Sequence, residues 1–568
     1  MSIRLGKVMA EEKLITQDEL NQALSEQQRT KEMLGEIIVR LGFVTEKNML
    51  KALAKQQGIP FIELTKHVIE ERVQKAVPGK FVWHYKIMPV SLEGDLLTVA
   101  LADPFDTLPI DDLETHLGFK VGKVLAASAD IAAAIKKYYG VGAETIDRIL
   151  SDEARPAGET LPSNDEKVED LEKLAESASV VKLVNQILQE AITERATDIH
   201  IEHFRGELIL RYRIDGILYD ASVSEKIKYL HLAIVSRIKV MSALDIVERR
   251  MPQDGRAKVK IGPLEYELRV SIIPTLHGEN IVIRILPTTL LFDVADLGVS
   301  KNDRGILEQL LKKAYGIIFV TGPTGSGKTT TLYACLSKLN SREKKIVTIE
   351  DPIEYELRGI SQTQVNTKID LTFAQLLRSM LRHDPDVMMV GEVRDRETAE
   401  VTIQTALTGH LVFSTLHTND AASGVTRLID IGIEPYLVAS SVIAFVAQRL
   451  VRIICKECKE QVPLSELGFN EGQLRDEGFH GDQKTLVYHG KGCKACNSTG
   501  YKGRAAIYEI LLVNEEIKSL ILTKAPSNII KDKAVKLGMH TLKQDGWEKV
   551  LSGVTTPEEV LRVTQLEG

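Results

Sequence analysis

The chain has 568 residues, too many for a single hydrophobic core, and about 150 residues per domain suggests three to four domains. Hydrophobic residues make up 44% and charged residues 27%, which excludes a collagen-like, disordered or disulfide-scaffold class for the chain as a whole. The net charge of −7 rests almost wholly on residues 141–175, which hold ten acids and four bases, so no basic balance points to nucleic acid.

The opening MSIRLGKVMAEEKL is charged early and lacks an apolar core, unlike a secretory signal. The longest apolar stretch, 437–447, is about half of what a bilayer span needs. A cytoplasmic protein is expected, one that meets a membrane only through a partner. Residues 4–27 (RLGKVMAEEKLITQDELNQALSEQ) and 33–56 (MLGEIIVRLGFVTEKNMLKALAKQ) form an internal repeat of two 24-residue units with five residues between them. Leu5-Gly6 aligns with Leu34-Gly35, Thr16 with Thr45, Leu24 with Leu53 and Gln27 with Gln56. Each unit reads as a short helix, a turn ending at a Thr N-cap and a second helix.

From 58 to 140, apolar runs such as LLTVALADP alternate with helical stretches such as ADIAAAIKKYYG, which suggests a small α/β module. Residues 141–175 are acidic, contain Pro156 and Pro162 and lack a sustained period, as a flexible linker would. The spacing of Val180, Leu183, Val184, Ile187, Leu188 and Ile192 predicts a helix. In 207–215, alternation puts Leu208, Leu210, Tyr212 and Ile214 on one strand face and Arg211 and Arg213 on the other. Asp215-Gly216 and Asp254-Gly255 are hairpin-turn signals, and 265–272 and 281–286 read as further strands. This predicts an α+β domain ending near Pro287. From about residue 297 strands and helices alternate, as in a parallel sheet flanked by helices.

The strongest chemical signal is Gly322-Pro323-Thr324-Gly325-Ser326-Gly327-Lys328-Thr329, between an apolar run at 317–321 and a helical stretch that starts at Thr330. That is the setting of a phosphate-binding loop. Its glycines let backbone N–H groups curl around the phosphates of ATP, and the helix N-terminus adds partial positive charge. Lys328 would reach the terminal phosphates, and Thr329 would place its hydroxyl on Mg²⁺. Two acids end apolar strands, Glu350 after 346–349 and Glu392 after 387–390. One must serve the metal shell and one the attacking water; Glu392 is the first candidate, and the sequence does not divide the roles. For Glu350 the alternative is a helix N-cap. His410 and His417 flank a further strand, where a γ-phosphate sensor could sit.

Cys455-x-x-Cys458 and Cys493-x-x-Cys496 suit a closed, structural Zn²⁺ site, with redox chemistry as the rival. Cys335, inside the helix after the loop, reads as a core residue.

Together these pieces resemble the ATPases of type II secretion and type IV pilus assembly. The matching segments are the phosphate loop, TIEDPIEY at 348–355, LRHDPDVMMVGEVRD at 381–395 and LTGHLVFSTLHTND ending at Asp420. The resemblance implies a RecA-like ATPase domain over 297–568 with a tetracysteine zinc element at 455–496. It also implies a PAS-like α+β domain over 176–290; the repeat and the α/β module before it make an amino-terminal regulatory or docking region over 1–140, joined by the linker over 141–175. It further implies a homohexamer that couples ATP hydrolysis to domain motion. Arginines of the preceding domain would act on the γ-phosphate, with Arg211 and Arg213 as candidates and Arg284 and Arg269 behind them; each could instead merely pair with a surface acid. Implied partners are an inner-membrane platform protein and cytoplasmic accessory proteins, at the cytoplasmic face of the inner membrane, with no nucleic acid and no direct membrane insertion. A RecA-like nucleic-acid translocase and a non-hydrolysing nucleotide switch are the rival classes.

The amino-terminal repeat resembles the cyclic-di-GMP-binding domain of some of these ATPases, whose 24-residue RLG…L…L…Q unit recurs after a five-residue spacer. The first unit supplies Arg4, Leu5, Gly6, Leu20, Leu24 and Gln27, and the second Leu34, Gly35, Leu53 and Gln56. Met33 stands in place of the second Arg, Met49 in place of a Leu, and Lys13 in place of a usual Gly. Gly admits a base or phosphate to the backbone, Arg offers a planar charged fork, and Leu packs the base. The other reading of the repeat is a docking module for a membrane partner. The combined expectation is a type IV pilus assembly ATPase with a second-messenger input, with a type II secretion ATPase as the near alternative.

Overall fold

The computed structural model describes residues 2–140, 177–287, 293–469 and 484–565, together with 142, 143, 145, 146, 149, 478 and 479. Most of the predicted linker at 141–175 lies outside the described residues. The chain divides into two units, Met1–Leu286 and Pro287–Gly568.

The first unit opens with the repeat as two helix pairs, Ser2–Glu11 with Gln17–Thr30 and Leu34–Arg40 with Glu46–Gln57. Thr16 and Thr45 begin the second helix of each pair, accepting from the N–H of Glu19 at 3.3 Å and of Asn48 at 3.4 Å. Glu19 accepts from the Thr16 N–H at 2.7 Å and closes a capping box. The glycines of the two units pack at equivalent places. A Cβ on Gly6 would lie 2.6 Å from Leu20, and one on Gly35 would lie 3.1 Å from Met49. Next comes a three-stranded sheet, in which Leu96–Leu101 pairs antiparallel with Met88–Glu93 and parallel with Lys120–Leu125. Helix Ser128–Tyr139 buries Ile131, Ala134 and Ile135 in the same core as that sheet. Leu125 and Ala127 belong instead to the core of the helix pairs, so the two pieces share a boundary.

Helix Ala178–Thr193 carries Val180, Leu183, Val184, Ile187 and Leu188 into a core with a six-stranded sheet. The strands run in the order Ile217–Asp220, Glu207–Ile214, Ala196–Phe204, Gly278–Pro287, Leu264–Thr275, Gln253–Ile261. Asp215 and Gly216 have φ of 49° and 92°, as a two-residue primed turn requires. The turn expected at Asp254-Gly255 is absent. Both residues lie inside strand Gln253–Ile261, and the chain reverses at Gly262. Gly255 has a different purpose there, since a Cβ would lie 2.6 Å from the Ser242 carbonyl oxygen.

The second unit is built on a seven-stranded sheet in the order Ser361–Gln364, Ile346–Glu350, Val387–Val390, Leu411–Leu416, Gly316–Thr321, Val442–Ile454, Tyr501–Leu512. The first six strands are parallel, and Tyr501–Leu512 runs antiparallel at the edge. Along Gly316–Thr321, Ile317 and Phe319 enter one core while Ile318 and Val320 enter another. Helices therefore cover both faces, and the strand reads as a continuous apolar run. In a parallel sheet the segments after Thr321, Glu350, Val390 and Leu416 all leave at one edge, where such sheets bind ligands. Among the described residues no helix is long and apolar enough to cross a membrane.

Candidate functional site

Thr321 ends a strand of six buried residues, and Gly327 caps the helix Lys328–Leu339. Gly327 has φ of 87°, and a Cβ there would lie 2.8 Å from Nε2 of Gln448. At Gly322 a Cβ would lie 2.6 Å from Oγ of Ser326 and 2.7 Å from the Gln448 carbonyl oxygen. The loop can lie against the Gln448 strand only because both residues lack side chains. Pro323, Thr324 and Gly325 form an exposed crest, Ser326 is buried, and Lys328, Thr329 and Thr330 are half-buried. Lys328 folds its Nζ back onto the loop, donating to the carbonyls of Gly322 at 2.7 Å and Pro323 at 3.0 Å. Burial pushes its ammonium down to about 8; the Glu392 carboxylate opposes that fall and the Arg449 guanidinium adds to it. A cation poised over a glycine-rich loop at a helix start fits the phosphates of a nucleotide.

Glu392 is largely buried, forms an ion pair with Arg394 and lies 3.5 Å from Nε2 of His417. Burial lowers the His417 pKa and the charge of Lys328 lowers it further, against the pull of Glu392. The imidazole is thus neutral near pH 7. Three sequence candidates, Lys328, Glu392 and His417, therefore meet at the edge where the parallel strands end.

Glu350 is 3% exposed, and its carboxylate is engaged within the protein. It accepts from Oγ1 of Thr348 at 2.6 Å, from Nε2 of Gln362 at 3.0 Å and from the hydroxyl of Tyr333 on the phosphate-loop helix. His410 requires a correction. Leu411 pairs with Gly316 and Leu416 with Thr321, so His410 precedes the strand at the end away from the phosphate loop. Six strand residues separate the two histidines by about 20 Å. Nδ1 of His410 lies 2.9 Å from the Thr405 carbonyl oxygen, at a helix-to-strand turn, and does not reach the loop of its own chain.

Sequence reading passed over Gln448 and Arg449, which are 2% and 5% exposed within strand Val442–Ile454. The available signal was a polar pair inside an apolar run, since such groups are buried only when partnered.

In the first unit, Arg211 and Arg213 do share a strand face, and each meets an acid. Nη2 of Arg211 donates to both oxygens of Glu202, at 2.9 and 2.6 Å. Asp198 sits between neighbouring strands, 3.0 Å from Nε of Arg284 and 3.9 Å from Nε of Arg213. Arg213 also donates to the Gly216 carbonyl at 3.0 Å, and Arg269 lies 3.8 Å from Glu267.

The four cysteines converge, with their sulfurs all within 4.8 Å of one another. Cys455 and Cys493 are 3.8 Å apart, Cys458 and Cys496 3.8 Å, and Cys493 and Cys496 3.7 Å. A tetrahedron of sulfurs at a Zn–S length of about 2.3 Å has edges of about 3.8 Å, so the set fits zinc. Backbone N–H groups of Cys493 and Gly500 point at the sulfur of Cys496, at 3.2 and 3.3 Å. Between the pairs, Lys459–Pro463 and Leu486–Gly490 form a two-stranded ribbon. Cys335 is buried in the core of the second unit, as expected.

At the amino terminus a cavity of about 530 Å³ is lined by Leu5, Gln27, Leu34, Gly35, Leu53 and Gln56, all positions of the repeat. Met33, Met49 and the acids Glu36, Glu46 and Asp103 also line it. Gly6, Leu20 and Leu24 are not among its lining residues; Leu20 packs on Gly6 instead. The side chain of Arg4 lies outside what the structure describes.

Comparison with known proteins places this arrangement. The type II/IV secretion system protein family matches residues 173–562, more than half of the chain. The chain belongs to that family. Residues 57–145 match a second model, the MshEN domain. Over 565 residues the chain is 41% identical to the type IV pilus assembly ATPase PilB of Myxococcus xanthus, with 99% of each covered. Over 569 residues it is 39% identical to the type II secretion system protein E of Xanthomonas campestris pv. campestris, with 99% of this chain and 98% of the relative covered. The Legionella pneumophila ATPase DotB matches 67% of this chain and 95% of its own at 22% identity and a TM-score of 0.50, a likeness of fold alone.

Membership in the secretion and pilus family makes the chain an ATPase, with ATP and Mg²⁺ as its cofactors. The loop geometry agrees: the glycine cradle at 322–327 and the Lys328 ammonium suit a polyphosphate.

Proposed function

We propose that this chain is the extension motor of a type IV pilus, a homohexameric ATPase whose domain motions drive the addition of pilin subunits. Similarity along 99% of both chains to a type IV pilus assembly ATPase carries this reading. The motor would act at the cytoplasmic face of the inner membrane, with a platform protein and cytoplasmic accessory proteins as partners.

In the catalytic cycle, Lys328 exchanges the carbonyls of Gly322 and Pro323 for phosphate oxygens. Thr329 is the group that would hold Mg²⁺, which when bound would neutralise charge on the phosphates. Glu392 orients the attacking water and takes its proton, and neutral His417 beside it steadies that carboxylate. Arg211 and Arg213 would exchange their carboxylate partners for the γ-phosphate, whose oxygens offer an arginine fork the same geometry. Zn²⁺ on Cys455, Cys458, Cys493 and Cys496 would be structural, with no open position. The amino-terminal cavity, lined by six positions of the repeat, would take cyclic-di-GMP as a regulatory ligand.

A type II secretion ATPase is the second reading, favoured by a full-length relative of that kind at 39% identity. Deleting the gene and complementing it with wild type or Glu392→Gln separates the two. Loss of surface pili with intact protein secretion, restored only by wild type, supports the pilus motor. Lost secretion with normal pili transfers the assignment to the secretion system.

A further inference from the structure

Within the second unit, Arg449 touches two separate segments of the nucleotide site. Its Nη2 donates to the Asn419 carbonyl at 2.6 Å, two residues after His417. Its Nη1 donates to the Gln448 carbonyl at 3.1 Å and lies 3.1 Å from where a Gly322 Cβ would be. One buried guanidinium thus rests against the first glycine of the phosphate loop and holds the backbone of the histidine segment. That segment is fixed from its other side as well. Asp420 accepts from the Ser423 N–H at 2.8 Å and from Nζ of Lys531 at 3.1 Å, and the Ala421 N–H donates to the buried Glu509 at 3.0 Å. A guanidinium is costly to bury, and a purely structural strand residue at this position could be apolar like its neighbours.

We propose that Arg449 is a positioning residue for ATP hydrolysis: it fixes the separation between the His417 segment and the phosphate loop, and so keeps the Glu392–His417 pair in register with Lys328. The planar fork matters as much as the charge, because it spans two carbonyls at once. A lysine in its place keeps the charge and reaches one of them. The inference rests on the reading of His417 given above.

The test uses the full-length chain with Arg449→Lys, His417→Ala and the double variant, reading kcat and KM for ATP alongside the melting temperature. Arg449→Lys should lower kcat by about 100-fold, the loss typical of a misplacement near 1 Å, with KM for ATP changed less than about threefold and melting near wild type. Because Arg449 acts through the histidine segment, adding Arg449→Lys to His417→Ala should cost little further kcat. A wild-type kcat in Arg449→Lys overturns the proposal, as does a loss of kcat that follows the fraction unfolded. A strong His417→Ala effect that simply multiplies with the Arg449→Lys effect overturns it while leaving the reading of His417 intact. An unchanged kcat in His417→Ala removes that reading and the proposal together.

Discussion

The hydroxyl of Tyr212 donates to the carboxylate of Glu190 at 3.0 Å, and the residues on either side of Tyr212 are Arg211 and Arg213. The other Glu190 oxygen lies 3.0 Å from Nζ of Lys136, on the last helix of the amino-terminal module, and Lys136 also pairs with Glu194. One carboxylate therefore joins that module to the strand that carries the two arginines. Burial raises the pKa of Glu190, and Lys136 and Tyr212 work against that rise.

Removing Lys136 takes from two poorly exposed carboxylates the cation they share. Lys136 is itself 41% exposed, so screening reduces the effect, and Lys136→Met should cost about 1 kcal/mol. The expected sign of its origin is a rescue. Glu190→Gln added to Lys136→Met should recover at least half of the lost melting temperature, while Glu190→Gln alone should lower it. Strictly additive melting shifts in the full chain would show that the contact carries no coupling.

Glu392 is the acid at the strand end nearest Lys328 and His417, so Glu392→Gln keeps the shape of the site and removes its base. Turnover should fall by about 100-fold or more while nucleotide binding is retained. Glu350→Gln should behave differently. The Glu350 carboxylate accepts from Thr348, Gln362 and Tyr333, so its loss should first lower thermal stability. Single-turnover kinetics and melting curves on the two variants separate these effects. Equal turnover losses at equal stability would give both acids a part in the metal and water chemistry of hydrolysis.

How far these features can be read from sequence depends on where their partners lie. The Thr16 and Thr45 caps and the Asp215-Gly216 turn bond within three residues, and their chemistry is visible locally. Asp254-Gly255 carries the same turn signature, yet its glycine answers to Ser242, brought close only by the folded sheet. Arg449 and Asn419 are 30 residues apart, and no local pattern links them. The histidines show a different gap. Two residues that flank a six-residue strand stand at its opposite ends, but which end faces the phosphate loop follows only from the parallel register of Gly316–Thr321 with Leu411–Leu416.

In the first unit, His231 stacks on His203 with ring centroids 4.4 Å apart and lies 3.0 Å, through Nε2, from the Glu279 carbonyl oxygen. Burial pushes its imidazole down to about 4; the Glu279 carbonyl opposes the fall and His203 adds to it. The unfolded chain takes up a proton here near pH 6.5, whereas the folded chain resists until about pH 4. Stability from this site is therefore full above pH 6.5 and is lost as pH falls from there toward 4, reaching about 2 kcal/mol at pH 5. His231→Gln retains a donor for Glu279 and does not titrate. Its melting temperature should fall less than that of wild type between pH 7 and pH 5, and parallel curves would rule out His231 as the source.

The zinc element offers a structural test with its own optical signal. The ribbon between the cysteine pairs packs Val487 with Phe479, Trp547 and Val550, and the rings of Phe479 and Trp547 lie 5.0 Å apart. If the four thiolates hold Zn²⁺, the metal organises one wall of the small core around Trp547. Freshly purified chain should contain about one zinc per protomer, and Cys496→Ser should bring this below half. The chain has two tryptophans, so a Trp83→Phe background assigns the emission to Trp547. Chelation should then shift that emission to longer wavelength as the 4% exposed indole meets water, and added zinc should reverse the shift. Zinc below half an equivalent in the wild-type chain, or an emission spectrum indifferent to chelator, would leave the four cysteines as thiols held by the fold alone.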